Sequence, residues 1–270
     1  MKAWLKALLL TASLSGAAAA IEVELTGDFT QGAIIFGKAP AGSQVLFNDT
    51  VLPLSDEGRF VFGVGRDAAL EHSLTVSFQD KTLVKPLTFK ARQYDVQHVN
   101  GVAQKYVTPP AEVSARIQRD NQRVKAARQH VSDLEAIFQP PIMPAQGRIS
   151  GVYGSQRVFN GEPRNPHYGL DVAAPVGAPV LAPLAGKVLL AEDLYYSGLT
   201  LIIDHGFGIN STFMHLSKMD VVAGDAVAKG DKIAEVGATG RVTGPHLDWR
   251  INWLQERLDP ALLPGLVIQD

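Results

Sequence analysis

Histidine and aspartate at spacings suited to metal chemistry gather in one part of this 270-residue chain. The seven histidines fall at positions 72, 98, 130, 167, 205, 215 and 246, four of them after residue 142. His167-Tyr168-Gly169-Leu170-Asp171 sets an imidazole and a carboxylate four residues apart, with Gly169 letting the backbone turn from loop into strand. Pro245 to Trp253 alternates strictly. As a strand it places His246, Asp248, Arg250 and Asn252 on one face, and Leu247, Trp249, Ile251 and Trp253 on the other. A zinc hydrolase needs three nitrogen or oxygen ligands, an open fourth position, a proton acceptor and a group that stabilises the developing oxyanion. His167, Asp171 and Asp248 can be the ligands, with His246 and His215 as base and oxyanion stabiliser. Arg250 shares a face with Asp248 and can pair with it in competition with a metal. His205, in Asp204-His205-Gly206, reads as a structural histidine, and His72 as a surface one.

Composition narrows the chemistry further. With no cysteine, thiolate nucleophiles, Cys-ligated zinc and iron–sulfur clusters are excluded, so a metal must be held by His and carboxylate. Lys and Arg number 25 against 27 Asp and Glu, a net charge of -2, which gives no broad basic field for nucleic acid. The start reads as a secretory signal peptide over residues 1–20: Lys2 and Lys6, a short apolar run to Leu14, then small residues up to Ala20. The run is too short to span a membrane, so no membrane span is expected after cleavage. Cleavage removes two basic residues and no acidic ones, giving a mature charge of -4, and an exported, periplasmic protein is expected.

The elements that must position these residues are mainly strands. From Ile21 to about Phe89, strand-length runs recur about every dozen residues between turn signals, which predicts a small antiparallel β-sandwich over residues 21–108. Val113, Ile117, Val124, Val131, Leu134 and Phe138 recur at helical spacings, with basic residues including Arg128 on the other face. A connecting helix from Ala111 to Phe138 is expected, within a linker of residues 109–141 ended by Gln139-Pro140-Pro141. Residues 142–262 are again strand-like, which predicts a β domain of two packed sheets.

Asn165-Pro166-His167-Tyr168-Gly169-Leu170-Asp171, Ile203-Asp204-His205-Gly206, Phe213-Met214-His215-Leu216-Ser217, Gly224 to Gly230, Gly237-Ala238-Thr239-Gly240 and Gly244-Pro245-His246-Leu247-Asp248-Trp249 occur in that order. This ordered set resembles the lysostaphin/LytM-type zinc endopeptidases. Tyr94-Asp95-Val96-Gln97 and Lys105 to Pro109 are similar to the small β domain that often precedes such peptidases in bacterial envelope proteins. The resemblance implies an antiparallel sheet with a groove, Zn2+ at its floor, and cleavage of peptide cross-links in peptidoglycan. It puts His167 and Asp171 on the first two zinc ligands and His215 and His246 on the catalytic histidines. The family ends in His-x-His where this chain reads His-x-Asp, so Asp248 is expected to be a carboxylate ligand. Two carboxylates would then offset the full +2 of zinc. Two alternatives stay open: a degenerate domain that binds cell wall or an envelope partner protein and activates an amidase without cleaving, and a changed substrate geometry with zinc retained through His246.

Overall fold

The computed structural model describes residues 20–99, 111–159, 161–163 and 165–268, so residues 1–19 and the Lys105-to-Pro109 string lie outside it. Two antiparallel sheets precede residue 90. β1 (Glu24–Thr26), β2 (Ile34–Lys38) and β5 (Arg59–Gly63) form one, in that order. β3 (Gln44–Phe47), β4 (Thr50–Leu52), β6 (Glu71–Phe78) and β7 (Lys81–Thr88) form the other, in the order β4-β3-β6-β7. Val45, Phe47, Leu74 and Val76 are the buried alternate residues of the second sheet, and Phe47 stacks on Phe62 of the first with ring centroids 4.2 Å apart. The sequence pattern did not announce β7, whose mostly exposed residues include Lys81, Lys85 and Pro86, as suits an edge strand.

The segment after the helix builds one large sheet rather than two packed ones. Its strands are β9 (Arg148–Gly151), β12 (Leu170–Ala173), β13 (Pro179–Leu181), β14 (Gly186–Leu194), β15 (Gly198–Gly206), β16 (Ile209–Met219), β17 (Ala226–Val227), β18 (Lys232–Val236), β19 (Leu247–Trp253) and β20 (Glu256–Leu258). The order is β17-β14-β15-β16-β19-β12-β9, with β20 on β19 and the β13–β18 pair joined to β16. Register shifts in β9–β12, β14–β15, β15–β16 and β16–β18 mark irregularities, and bulges of this kind bend strands so that a single sheet can wrap its own core. Leu201, Ile203, Phe213, Trp249 and Ile251 are fully buried, and each such side chain is worth about 2 kcal/mol or more of transfer out of water.

Three further contacts tie the early sheets to the large one. Phe47 meets Trp253 edge-on at 6.0 Å, Gly63 lies under Leu258, and the Arg92 guanidinium pairs with Asp259 at 2.8 Å. The buried apolar residues of both parts form one contiguous cluster. β8 (Val96–Val99) runs parallel to β10 (Gln156–Phe159), which pairs with β11 (Glu162–Pro163).

The helix is shorter than its apolar spacing predicts. α1 spans Ser114–Arg128, flanked by 3-10 turns at Ala111–Val113 and Ala136–Phe138. After Gln129 the chain leaves the helix to pair with β15: Phe207 N donates to Ser132 O at 2.9 Å, and Ser132 Oγ donates to Asp204 Oδ2 at 2.5 Å. Val131 and Leu134 therefore lie outside α1 and are exposed, at 46% and 38%. Arg128, read from the sequence as solvent-facing, is buried. Val124 and Ala127 pack on Leu190, Leu194 and Ile202, and exposed ion pairs of Arg116 with Asp193 and Arg123 with Glu192 flank them.

Candidate metal centre

Strand register brings the two aspartates together. β12 and β19 are antiparallel neighbours with Asp171 opposite Asp248 and Leu170 opposite Trp249. Cross-strand partners share a face, so the carboxylates stand side by side while Leu170 and Trp249 fill the core beneath. His167 lies on the loop entering β12. Its backbone is fastened by Gly154 N donating to His167 O and His167 N donating to Ser155 O, each at 2.7 Å. Its Nδ1 lies 3.1 Å from Val152 O, and because a carbonyl only accepts, Nδ1 carries a proton. That turns Nε2 toward Asp171 Oδ1 at 2.9 Å and Asp248 Oδ2 at 3.5 Å.

His167 Nε2 and Asp171 Oδ1 are buried without a hydrogen-bond partner, and the ligand atoms of His167, Asp171 and Asp248 lie within 4.8 Å of one another. Three lone-pair atoms converging with two negative charges suit a cation. One imidazole with two carboxylates is a donor set that zinc accepts. Burial opposes charging His167, but the Asp171 and Asp248 carboxylates facing Nε2, which would accept from a protonated ring, outweigh it and raise the imidazole to about 10. A proton then supplies the positive charge that the three groups call for.

Two glycines make room for these carboxylates. A Cβ on Gly151 would collide with the Asp171 carboxylate, and one on Gly169 with Asp248, Arg250 and the Trp249 carbonyl. Gly169 is thus required by space, its φ lying outside the left-handed range, and not by the turn that the sequence suggested. Gly151 carried no sequence signal.

Arg250 does pair with Asp248. Nε donates to Oδ1 at 2.9 Å and Nη2 to Oδ2 at 2.7 Å, a bidentate contact in which the carboxylate is only 4% exposed. Burial by itself raises the Asp248 pKa, but Arg250 and His167 override it and hold the carboxyl far below the usual range.

His215 reaches the groove through an irregular strand. Between Phe213 and Leu216 the β15–β16 register shifts, and His215 adopts φ 64°, a left-handed conformation rare for histidine. Regular alternation would point His215 away from Met214; the bulge turns both into the groove. Nδ1 of His215 lies 2.9 Å from Thr239 O, and burial lowers its pKa, so the ring is neutral with Nε2 as acceptor. His246 sits just before β19, with Nδ1 2.8 Å from Gly244 O and Nε2 4.0 Å from Asp171 Oδ1. The two rings lie 4.9 Å apart.

The five residues share a groove of about 930 Å³, whose other lining residues include Asn165, Tyr196, Arg241 and, from α1, Asn121. Arg241 stacks over Tyr196 at 4.6 Å, a wall not foreseen from the sequence. His205 stands apart: fully buried, it is held by Ala185 O and Ser211 Oγ at 2.8 Å each, and burial lowers its pKa to about 4. His72 is less of a surface residue than expected, bonding Asn48 and Ala69 O and packing 5.0 Å from Phe47.

The Peptidase family M23 profile matches residues 165–260, the stretch that holds all five groove residues. That stretch is therefore similar to peptidase family M23. Two peptidoglycan DD-endopeptidases of Vibrio cholerae are similar: ShyB is 44% identical over 86 residues, 32% of this chain and 20% of ShyB, and ShyA is 33% identical over 141 residues, 52% of this chain and 32% of ShyA. The chain thus spans a fifth to a third of the length of these curated relatives. A crystal structure described as a peptidase M23 of Pseudomonas aeruginosa superposes with TM-score 0.69 at 28% identity, covering 88% of this chain and 96% of that one. The fold is therefore the mainly β M23 arrangement, early sheets included.

Proposed function

We propose that the protein is an exported zinc metalloendopeptidase that cleaves peptide cross-links of peptidoglycan. One observation carries the reading: the M23 segment gathers His167, Asp171 and Asp248 within ligand distance, beside a neutral His215 and His246 in the same groove. The peptidoglycan endopeptidase names of ShyA and ShyB support the substrate class, and the charged, then apolar, N-terminal run supports export.

His167, Asp171 and Asp248 would hold the metal. When bound, Zn2+ supplies Lewis-acid polarisation of a peptide carbonyl. The remaining work falls to the chain. His246 Nε2, aimed at the ligand cluster, accepts the proton of the attacking water. With its one N–H held by Thr239 O, neutral His215 has no donor left for an oxyanion, so its stabilising role requires a protonated ring. Tyr196 and Arg241 form a wall that positions peptide and limits water.

The bidentate Asp248–Arg250 pair favours a second reading, a binding domain without cleavage that works through an envelope partner. Metal analysis and digestion of purified sacculi separate the two. The peptidase reading expects stoichiometric zinc and soluble products that vanish in His246→Ala; substoichiometric metal, or sacculus binding without products, overturns it. Asp248→His is informative: lower activity than the parent is expected from a site built around the carboxylate, and higher activity would mark Asp248 as a handicapped ligand.

A further inference from the structure

The groove face of the sheet continues past the ligands under α1, and there positive charge exceeds negative. Thr212 pairs with Arg250, Asn210 with Asn252, and Asn252 with Arg257, so these residues follow Asp248 along the same face. Arg128 of α1 is 7% exposed and its Nε has no hydrogen-bond partner. Arg257 lies in the groove with its guanidinium stacked 4.4 Å over Tyr168, and it takes part in none of the ion pairs among the described residues. Asn210 Nδ2, Thr212 Oγ1 and Asn252 Oδ1 are likewise buried and unpartnered. Arg250 alone has a carboxylate, Asp248, which it shares with the ligand set.

Buried charges in folded proteins are nearly always paired, because removing an unpaired ion from water is costly. Crowding is felt here: burial first, then Arg257 and Arg250, pull the Arg128 guanidinium down to about 9, and burial and Arg250 lower Arg257 as well. An anion in the groove would pair with the Arg257 guanidinium and offset the positive charge crowded with Arg128 behind it. We propose that Arg257, backed by Arg128, forms a subsite for a free carboxylate of the substrate peptide beside the metal ligands. The planar fork of Arg257 suits a bidentate carboxylate, and Arg257 lines the same groove as the ligand cluster. The proposal rests on the peptidase reading for its choice of peptide; the subsite itself rests on the unpaired arginines.

The test uses the zinc-loaded mature protein carrying His246→Ala, so that binding is read without turnover. Calorimetric titration compares diacetyl-Lys-D-Ala-D-Ala with its C-terminal carboxamide. The acid should bind about tenfold to a hundredfold tighter, as a charge-assisted contact predicts. Adding Arg257→Gln should bring the ratio near one, and Arg257→Lys should recover part of the preference with the fold intact by thermal unfolding. Equal affinities in the parent overturn the proposal. So does a preference that survives Arg257→Gln, which would put the carboxylate on the metal, or inorganic phosphate competing as tightly as the peptide acid, which would mark a simple anion site. Sacculus cleavage without acid preference sinks the subsite and leaves the peptidase; acid preference in a protein whose histidine-intact parent does not cleave sinks the peptidase and leaves the subsite.

Discussion

Arg250→Met isolates what the guanidinium does for Asp248. The Asp248 carboxylate is 4% exposed and accepts both of its close hydrogen bonds from Arg250, at 2.7 and 2.9 Å. Two unit charges about 4 Å apart at an effective dielectric near 20 interact by about 4 kcal/mol. Removing one partner of a buried pair typically costs about 3–5 kcal/mol, since the other charge is left desolvated. Methionine keeps much of the side-chain volume, so the loss reports charge and not a cavity. Guanidinium chloride unfolding of EDTA-treated protein should therefore show a loss of about 3–5 kcal/mol. Most of it should return in Asp248→Asn/Arg250→Met, where no orphaned charge remains. Added zinc should stabilise Arg250→Met more than the parent, because the cation takes over the lost positive charge. A loss below about 1 kcal/mol, the range of exposed pairs, would show that Asp248 is solvated or otherwise compensated and would refute the reasoning.

Other predictions are independent of that pair. Gly151→Ala pushes the Asp171 carboxylate aside, and displacements near 1 Å can cost about a hundredfold in rate; kcat/KM on sacculi should fall by about that factor and zinc affinity should weaken while the thermal midpoint changes little. His205 has a folded pKa of about 4, below its unfolded value of about 6.5, so its stabilisation is present above pH 6.5 and is lost as pH falls toward 4. Unfolding free energy should drop by about 1.4 kcal/mol per pH unit across that window, about 3 kcal/mol in all, and His205→Gln should flatten the profile. The exposed Arg123–Glu192 pair should contribute less than about 1 kcal/mol, so Arg123→Ala should leave the denaturation midpoint nearly unchanged.

The site was legible wherever local spacing sufficed. The four-residue His167–Asp171 step and the period-two run from His246 identified groups that the fold brings into one groove, because strand alternation is a local property. The helix end was not legible: Val131 and Leu134 continue a helical apolar spacing, but the chain is drawn onto β15 by Ser132 and Phe207, a pairing across some seventy residues that no local pattern encodes. Gly151 was silent for the same reason, since its constraint is the Asp171 side chain across the sheet. His215 sits where alternation would point it to the wrong face, and the bulge that corrects this is invisible in Phe213 to Ser217.

The bidentate pair changes the charge arithmetic of the His-x-Asp ending. Counted alone, Asp171 and Asp248 offset both charges of a divalent metal, and the ligand set is more negative than a His/Asp/His set by one unit. Arg250 lies in direct contact with Asp248 and restores that unit, so His167, Asp171 and the Asp248–Arg250 pair together carry the same net charge as two imidazoles and one carboxylate. The substitution of Asp for His and the presence of Arg two residues later on the same strand face are therefore one electrostatic feature. Its sequence signature is His246-x-Asp248-x-Arg250, and its physical content is that a carboxylate neutralised by an adjacent guanidinium can stand where a neutral imidazole would, with Asp248 Oδ2, which faces His167, shared between Arg250 and the cluster.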